Sequence, residues 1–389
     1  MKKILYITYR LPFPPDRGDR IRMYQMAKML SERNCLHLLA IVDKEVSKEH
    51  LQALGKIFKE IQIFVVPQWK SYLNSFFALF SSYPLQQGYF HDSGASEWVL
   101  KNRQKYDCIF CSTVRVARYA KRFEGKKFID FIDALSLNFS SISKFHSNPF
   151  FRALCELEAP RLRKCEIEVC KTFDKVFIIS EAEGRKIASQ KISSKKIISV
   201  PPAINVPAKI SKLAASNKIL FFGNFDYFPN VDAATFFAKE VFPKISKKFP
   251  SAEFVVAGYF SSKLAKLIPK NARIKILGYV QDIDSLILES ALVVAPMRCG
   301  SGINQKVLKS LSLGKVIVLS SLSNAEMGAV SGKEVEIADS PQELAEKCIG
   351  LLEDSKRRGR LGKAALIFIR KNFSYYAARK KLFAAMQNL

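Results

Sequence analysis

Short apolar runs rich in β-branched residues alternate along this chain with charged, helix-like stretches, and the alternation happens twice. That rhythm constrains the fold more than any other feature of the sequence. In the first series, strands are expected at Lys3–Tyr9, Leu36–Val42, Ile61–Val66, Cys108–Ser112, Lys127–Ile132 and Lys175–Ser180. Helices are expected at Arg20–Arg33, 46–59, 93–104, Phe150–Thr172 and Glu181–Ser189. Ile197–Val200 then runs into PPAINVP, and this proline-rich stretch with Lys209–Asn217 reads as a linker. A second series starts at Lys218–Phe222, with strands at 253–257, 273–277, 292–296 and 315–319 and helices at 231–248, 282–290 and 303–313. Helices near 341–353, 355–371 and 374–388 close the chain. Alternation of this kind builds βαβ units and parallel sheets. The expected class is α/β, with two Rossmann-like domains facing across a cleft. Residues 1–207 form the first, 208–372 the second, and a final helix over 373–389 packs back on the first. Ligands in such sheets bind beyond the carboxyl ends of the strands, so the cleft is the default active site.

The chain has 389 residues, too many for one ordinary domain, and 48% are hydrophobic, enough for large cores. The formal net charge is +27. Residues 1–205 carry 34 Lys and Arg against 20 Asp and Glu, and the remainder 28 against 15, so the excess is global. Such a surface suits polyanions or an anionic membrane face. No helix-turn-helix, zinc-finger or RNP-like pattern is present, so nucleic acid is not expected as a partner. Of eight cysteines only Cys108 and Cys111 are close, inside a strand and without a second pair, which reads as structural. Free thiols suggest a reducing, cytoplasmic compartment. The first apolar run ends at Arg10, too short for a signal peptide, and no stretch is long enough to span a bilayer. Ser71–Phe90 reads either as a buried helix plus loop or as an aromatic patch lying on a membrane.

The stretch Arg298–Lys315, RCGSGINQKVLKSLSLGK, follows the apolar run LVVAPM. Glycines let backbone N–H groups approach an anion, and a helix N-terminus adds partial positive charge. Lys306 falls one turn into the helix and Arg298 just precedes the loop, a set that suits a diphosphate. Neither a Walker A loop nor G-x-G-x-x-G is present. Taken alone, the same glycines are equally explained as turn chemistry.

Context shifts the weight toward the first. FFGNFDYFPNVDAATFF, VVAGYF, ILGYVQDIDSLI and VVAPMRCGSGINQKVLKS follow one another in order. Together they resemble the C-terminal half of GT-B glycosyltransferases, the family 4-like retaining enzymes. The stretches RLPFPPDRGDRIRMYQMAKML, FIDFIDALS, ELEAPRLRKCE and FDKVFIISEAEG are similar to a bacterial exopolysaccharide-associated branch of that family. The resemblance implies that Gly223 and Asn224 line the donor cleft and that Gly278, Tyr279 and Val280 lie beside the base. It implies that Arg298, Gly300, Ser301, Gly302 and Lys306 cradle the diphosphate of a nucleotide sugar and help it leave, with no metal and no cofactor. Gly18 would approach the sugar-phosphate. Asp19, Arg20 and Arg22 would be rim contacts on the acceptor side, which would take a glycan or lipid-linked glycan, with an anionic membrane surface nearby. Asp133 and Glu181 sit where polar groups would face the cleft. Each has a plainer reading: Asp133 as a helix cap, Glu181 as a first-turn acid, Arg20 and Arg22 as a solvated helix face. Of four histidines, His37 reads as structural and His91 as an acid/base candidate.

The resemblance breaks at one place. Enzymes of the family carry an acid in KVLEA that accepts hydrogen bonds from the ribose hydroxyls. Here the segment is KVLKSLS, with Lys309 at that place, adding charge near the diphosphate. Glu326, in NAEMG, partly corresponds to a second acidic motif. Two functions follow from this: a retaining, membrane-peripheral transferase of cell-surface polysaccharide synthesis, or a relative that binds nucleotide or glycan without turnover.

Overall fold

The alternation folds into two separate parallel sheets in a computed structural model that describes residues 1–146, 148–179, 181–188, 196–207, 216–259, 262–300 and 303–386. The chain divides into unit 1, Met1–Ala203 with Ala378–Leu389, and unit 2, Ile204–Ala377.

Unit 1 contains β1 (Lys3–Thr8), β2 (Cys35–Val42), β3 (Glu60–Val65), β4 (Cys108–Ser112), β5 (Lys126–Asp130), β6 (Lys175–Ile178) and β7 (Ile197–Ser199). Their order among the described residues is β3-β2-β1-β4-β5-β6-β7, and every pairing is parallel. Its helices are α1 (Gly18–Ser31), α2 (Lys48–Leu54), α3 (Gln68–Leu79), α4 (Leu85–Tyr89), α5 (Ser93–Asn102), α6 (Leu135–Phe145), α7 (Pro149–Thr172) and α8 (Glu181–Ile187). Chain order reverses between β1 and β4, and the carboxyl ends of those two strands make the switch point.

Unit 2 contains β8 (Lys218–Phe222), β9 (Glu253–Ala257), β10 (Ile274–Ile276), β11 (Leu292–Ala295), β12 (Ile317–Leu319) and β13 (Glu336–Ile337), ordered β10-β9-β8-β11-β12-β13 and again parallel. Its switch point lies between β8 and β11. The helices are α9 (Phe228–Phe236), α10 (Phe242–Lys248), α11 (Ser262–Leu267), α12 (Ile283–Glu289), α13 (Gln305–Ser312), α14 (Ser321–Asn324), α15 (Pro341–Glu353) and α16 (Ser355–Phe373). The final helix, α17 (Tyr375–Ala385), meets α1 within unit 1: Arg379 bonds Glu32, and the Arg33 guanidinium lies 4.4 Å over the Phe383 ring.

Three local outcomes differ from the sequence reading. The single helix expected over 231–248 is α9 and α10 joined by a wider π turn at Phe237–Val241. Pro243 has no N–H to continue the α ladder, and the turn absorbs that gap. The segment 71–90 is not a buried helix. It is α3 and α4, with most of the large side chains of α3 in solvent. Arg22 is not a rim contact. It is 1% exposed, with Nε donating to Asp130 Oδ2 at 2.7 Å, Nη2 to Asp130 Oδ1 at 3.2 Å and Nη1 to the Pro201 carbonyl at 3.0 Å. This bidentate pair fastens α1 to β5 and to the chain leaving β7.

The plainer expectations hold for His37 and the close cysteine pair. His37 is buried, 3.0 Å from a Glu60 carboxylate oxygen and edge-on to Tyr106. Cys108 and Cys111 are buried in β4, three residues apart and so on opposite faces of the sheet, and burial pushes the Cys108 thiol up to about 12. No helix among the described residues is long and apolar enough to cross a membrane.

Candidate functional site

The loops at the switch point of unit 2 are held by backbone contacts that only glycine permits. Gly258 has φ +129, and a Cβ there would lie 2.0 Å from the Gly223 carbonyl oxygen. Gly223 N donates to Ala257 O (3.1 Å), Phe225 N to Tyr259 O (2.8 Å) and Gly258 N to Gly278 O (2.8 Å). The turns after β8, β9 and β10 are thereby zipped together. At their edge Tyr259 and Tyr279 stack, ring centroids 4.6 Å apart, and both are exposed. Tyr279 belongs to the expected base-binding group. Tyr259 was missed, because VVAGYF reads as a strand running into a turn. Val280 lies half-buried beside Tyr279.

Lys306 lies beneath these loops, 6% exposed. Asn304 caps α13 by accepting from the Lys306 backbone N–H (3.2 Å), which fixes the first turn. The ammonium donates to Asn230 Oδ1 at 2.7 Å, lies 3.8 Å from Met297 Sδ, and sits 4.7 Å from the Phe221 ring centroid. Asn230 Nδ2 in turn donates to the Asn224 carbonyl at 2.8 Å, and a Cβ on Gly223 would press on that amide at 2.9 Å. So Lys306, Asn230, Asn224 and Gly223 form one connected group. Among the described residues no carboxylate pairs with Lys306. Burial drives its pKa down to about 7. A cation held among neutral partners in low dielectric gains strongly from an arriving anion. Gly300, φ +108, faces Tyr227 and Pro229 at the start of α9. Ser301 and Gly302 lie outside the described residues.

The other two cations expected at the diphosphate are already paired. Arg298 reaches Asp232 on α9 with Nε at 3.0 Å and Nη2 at 2.5 Å, and its guanidinium lies 4.6 Å over the Phe236 ring. The hydrogen bonds to Asp232 raise its pKa further. Lys309 donates to Asp284 Oδ2 on α12 at 2.7 Å. The expected extra charge at Lys309 is therefore compensated, and the pairing holds a carboxylate, Asp284, beside it. Sequence reasoning missed Asp284, which reads as a solvated helix acid. Glu326 is half-buried in the turn after α14.

The switch point of unit 1 is crowded with both signs of charge. Tyr9, just beyond β1, donates to Asp19 Oδ2 at 2.5 Å, and Arg10 approaches the same oxygen at 3.1 Å. Burial pushes Asp19 up, but Arg10 and the Tyr9 hydroxyl outweigh it, and the carboxyl stays below its ordinary range. Arg115 lies 4.7 Å over the Tyr9 ring and donates to Gln86 Oε1 at 2.7 Å. Two β-branched residues here have left-handed backbone: Thr113 (φ 69), before Arg115, and Ile132 (φ 64), before Asp133. Strain of this kind concentrates where side chains are aimed for a purpose. Burial, with the nearby charges of Asp19 and Asp130, lifts Asp133 to about 6 against the pull of Arg115.

The remaining candidates of unit 1 are peripheral. Gly18 opens α1, and Arg20 is bound through Nη1 to both oxygens of exposed Asp16 (3.0 and 3.2 Å). Glu181 is exposed at the start of α8, lining a shallow cavity of ≈ 520 Å³ with Ile178, Arg185 and Lys381. His91 is half-buried beside Tyr119, and burial lowers its pKa.

Residues 216–354 match the model of the family described as Glycosyl transferases group 1. No curated protein matches the chain. Among solved structures, Anabaena HepE (Alr3699), crystallised with UDP and glucose, is similar at 14% identity and TM-score 0.71, with 100% of each chain covered. A S. aureus TarM mutant, crystallised with fondaparinux, α-GlcNAc-glycerol and UDP, gives 11% and 0.72, again with 100% of each covered. Sucrose-phosphate synthase from Thermosynechococcus elongatus gives 11% and 0.72, covering 100% of this chain and 98% of its own. At these identities the likeness establishes the fold, which is GT-B.

Proposed function

From a GT-B chain whose residues 216–354 match glycosyl transferases group 1, we propose a glycosyltransferase that moves a sugar from a nucleotide-diphosphate donor to a glycan or lipid-linked glycan acceptor. The activity would serve assembly of a cell-surface polysaccharide. The observation that carries the reading is the buried ammonium of Lys306, uncompensated by any carboxylate among the described residues, under the glycine turns at the carboxyl ends of β8 and β11. As the anomeric C–O bond breaks, negative charge grows on the departing diphosphate. A preorganised cation in a dry site stabilises that charge without reorganisation. In this reading Lys306 does so without a metal, Gly223 and Gly300 let the phosphates approach, and Tyr259 and Tyr279 offer the base a stacking surface. Asp284, held by Lys309, is the carboxylate for the ribose hydroxyls. HepE and TarM were crystallised with UDP, which makes UDP-sugars the first donors to try.

Unit 1 takes the acceptor. Asp133, with its pKa of about 6, is ionised at neutral pH and basic enough to accept the proton of the attacking hydroxyl. Retention at the anomeric carbon comes from the family resemblance. A second reading, binding without turnover, is favoured by the pairing of Arg298 with Asp232 and of Lys309 with Asp284, which leaves one cation where three were expected.

Melting-temperature screening against UDP-, GDP-, ADP- and TDP-sugars tests the donor site, since a ligand that binds only the native state raises its melting point. At least one donor should shift wild type and fail to shift Lys306→Met. A chain indifferent to every nucleotide sugar would overturn the reading. Binding without hydrolysis or transfer would select the second one.

A further inference from the structure

We propose that unit 1 seats the chain on an anionic lipid bilayer through the outward face of α3, continued by the start of α7. On α3, Trp69, Tyr72, Leu73, Phe76, Phe77 and the following Phe80 recur at i, i+3, i+4, i+7, i+8 and i+11, one continuous stripe. Such a stripe normally faces the core. Here it faces solvent, with exposures from 46% at Leu73 to 80% at Phe80. The small and polar residues face the protein instead. Asn74 Nδ2 donates to the His91 carbonyl (2.9 Å), and Ser75 Oγ donates to the Leu85 carbonyl (3.2 Å). A Cβ on Gly88 of α4 would lie 2.7 Å from the Ala78 Cβ. The helix is clamped with its apolar side outward, so the exposure is built in.

A second helix extends the patch. Phe150, Leu154, Leu157 and Arg161 share one face of α7, at i, i+4, i+7 and i+11. Arg161 Nη1 and Nη2 donate to the Ala78 and Leu79 carbonyls (3.0 and 2.9 Å), which brings that face to the end of α3. Phe150 is 86% exposed.

Charge selects the occupant. From Gln68 to His91 there is no carboxylate. Just beyond Phe80, the Arg118 guanidinium and Lys121 ammonium lie 4.7 and 5.9 Å over the Tyr83 ring, giving the stripe a cationic rim. Aromatic rings beside lysine and arginine suit the boundary between acyl chains and anionic headgroups. A second copy would bring the same cationic rim against itself, in a chain of net charge +27. The stripe also leads inward. Tyr72, Tyr89, Phe90 and Tyr9 follow one another at 5.6, 4.9 and 5.1 Å, ending at the cluster that includes Asp19. An acceptor whose sugar sits at that cluster would thus carry a hydrophobic anchor. That step rests on unit 1 being the acceptor side; the seating on lipid does not.

The test is co-sedimentation of the full chain with vesicles of phosphatidylcholine alone and of phosphatidylcholine with about one-third phosphatidylglycerol. The chain should pellet with the anionic vesicles, and Trp69 emission, read in Trp98→Phe, should shift to the blue. Phe76→Ser/Phe77→Ser/Phe80→Ser should lower lipid affinity roughly tenfold or more. Arg118→Glu/Lys121→Glu should lower it on anionic vesicles only. Both variants should keep the wild-type response to nucleotide sugars, and the triple serine variant its melting temperature, because Phe76, Phe77, Phe80 and Lys121 are exposed and Arg118 half-buried on unit 1. Vesicle binding in a chain that answers to no nucleotide sugar would uphold the seating while the transferase reading fails. Wild type that ignores both vesicle types, a triple serine variant that binds as wild type does, or self-association through the stripe without lipid binding would overturn it.

Discussion

Both units place a switch point at the same topological position, between the first strand of the sheet and the strand after its third, yet the sequence fills the two places differently. In unit 1, Arg10, Asp19 and Tyr9 satisfy one another, and Arg115 lies beside Asp133. In unit 2, Lys306 meets, among the described residues, an amide, a thioether and a ring. Topology creates the hollow and local charge balance decides its guest. A neutralised, aromatic hollow suits a sugar hydroxyl, and an unneutralised cation suits a phosphate. The ion pairs differ as well. Arg22–Asp130 is shut into unit 1, with both side chains 1% exposed, while the Arg298 side chain of unit 2 remains 40% exposed.

The largest effect should come from breaking that buried pair. Arg22→Ala leaves the buried Asp130 carboxyl without its cation, and should lower unfolding stability by about 3–5 kcal/mol in denaturant titration. Arg298→Ala, measured in the same way, should cost about 1 kcal/mol or less. Equal costs would erase the contrast between the two pairs. Next comes Lys306→Met, which should reduce transfer by about two to three orders of magnitude. In its unliganded form the same variant should stabilise the fold near neutral pH. The folded-state pKa of Lys306, about 7, lies below its unfolded value. The native state therefore binds fewer protons between about 7 and the ordinary lysine range, and this residue's contribution to stability rises with pH across that window. The rise should be steeper in wild type than in Lys306→Met, where Lys315, its pKa lowered by burial to about 8, still contributes above that value.

Smaller effects probe unit 1 and the edge of unit 2. Asp133→Asn should lower kcat/KM roughly tenfold or more and remove an acid limb near pH 6, since the carboxylate serves only when ionised. A pH profile that keeps this limb in the variant would assign it elsewhere. Lys309→Glu sets a second carboxylate against Asp284. It should change stability by under about 1 kcal/mol, because both side chains are more than a third exposed. Donor affinity should fall only a few-fold if Asp284 is the ribose contact, as the lost pairing loosens it.

Some of this was legible in the sequence, and particular residues show why the rest was not. The strands could be read because short apolar runs such as KILFF and LVVA are buried on both faces of a parallel sheet. Lys306 could be placed because it follows the glycine loop by four residues, although it is the second residue of α13 and not one turn into the helix. Its isolation could not, since Asn230 and Met297 reach it only after β8 and β11 pair. Arg22 and Asp130 are 108 positions apart, and no local pattern announces such a partner. The stripe of α3 has the period of a core helix, and sequence alone could not say that Ser71 and Ala78 would face inward instead. Asp284 was hidden because an acid on a short helix that also bears Asp282 at its cap and Glu289 at its end looks solvated until a lysine from α13 meets it.

The central claim is that Lys306 is a buried amine whose charged form a diphosphate stabilises, and proton linkage tests it most directly. The donor giving the largest melting shift is titrated calorimetrically about one pH unit above the Lys306 value of about 7, in buffers of different ionisation enthalpy. Binding should draw close to one proton from the buffer, less as the pH falls below that value, and none in Lys306→Met if that variant retains measurable affinity at high ligand concentration. Binding without proton uptake in wild type, or with the same uptake in the variant, would contradict it.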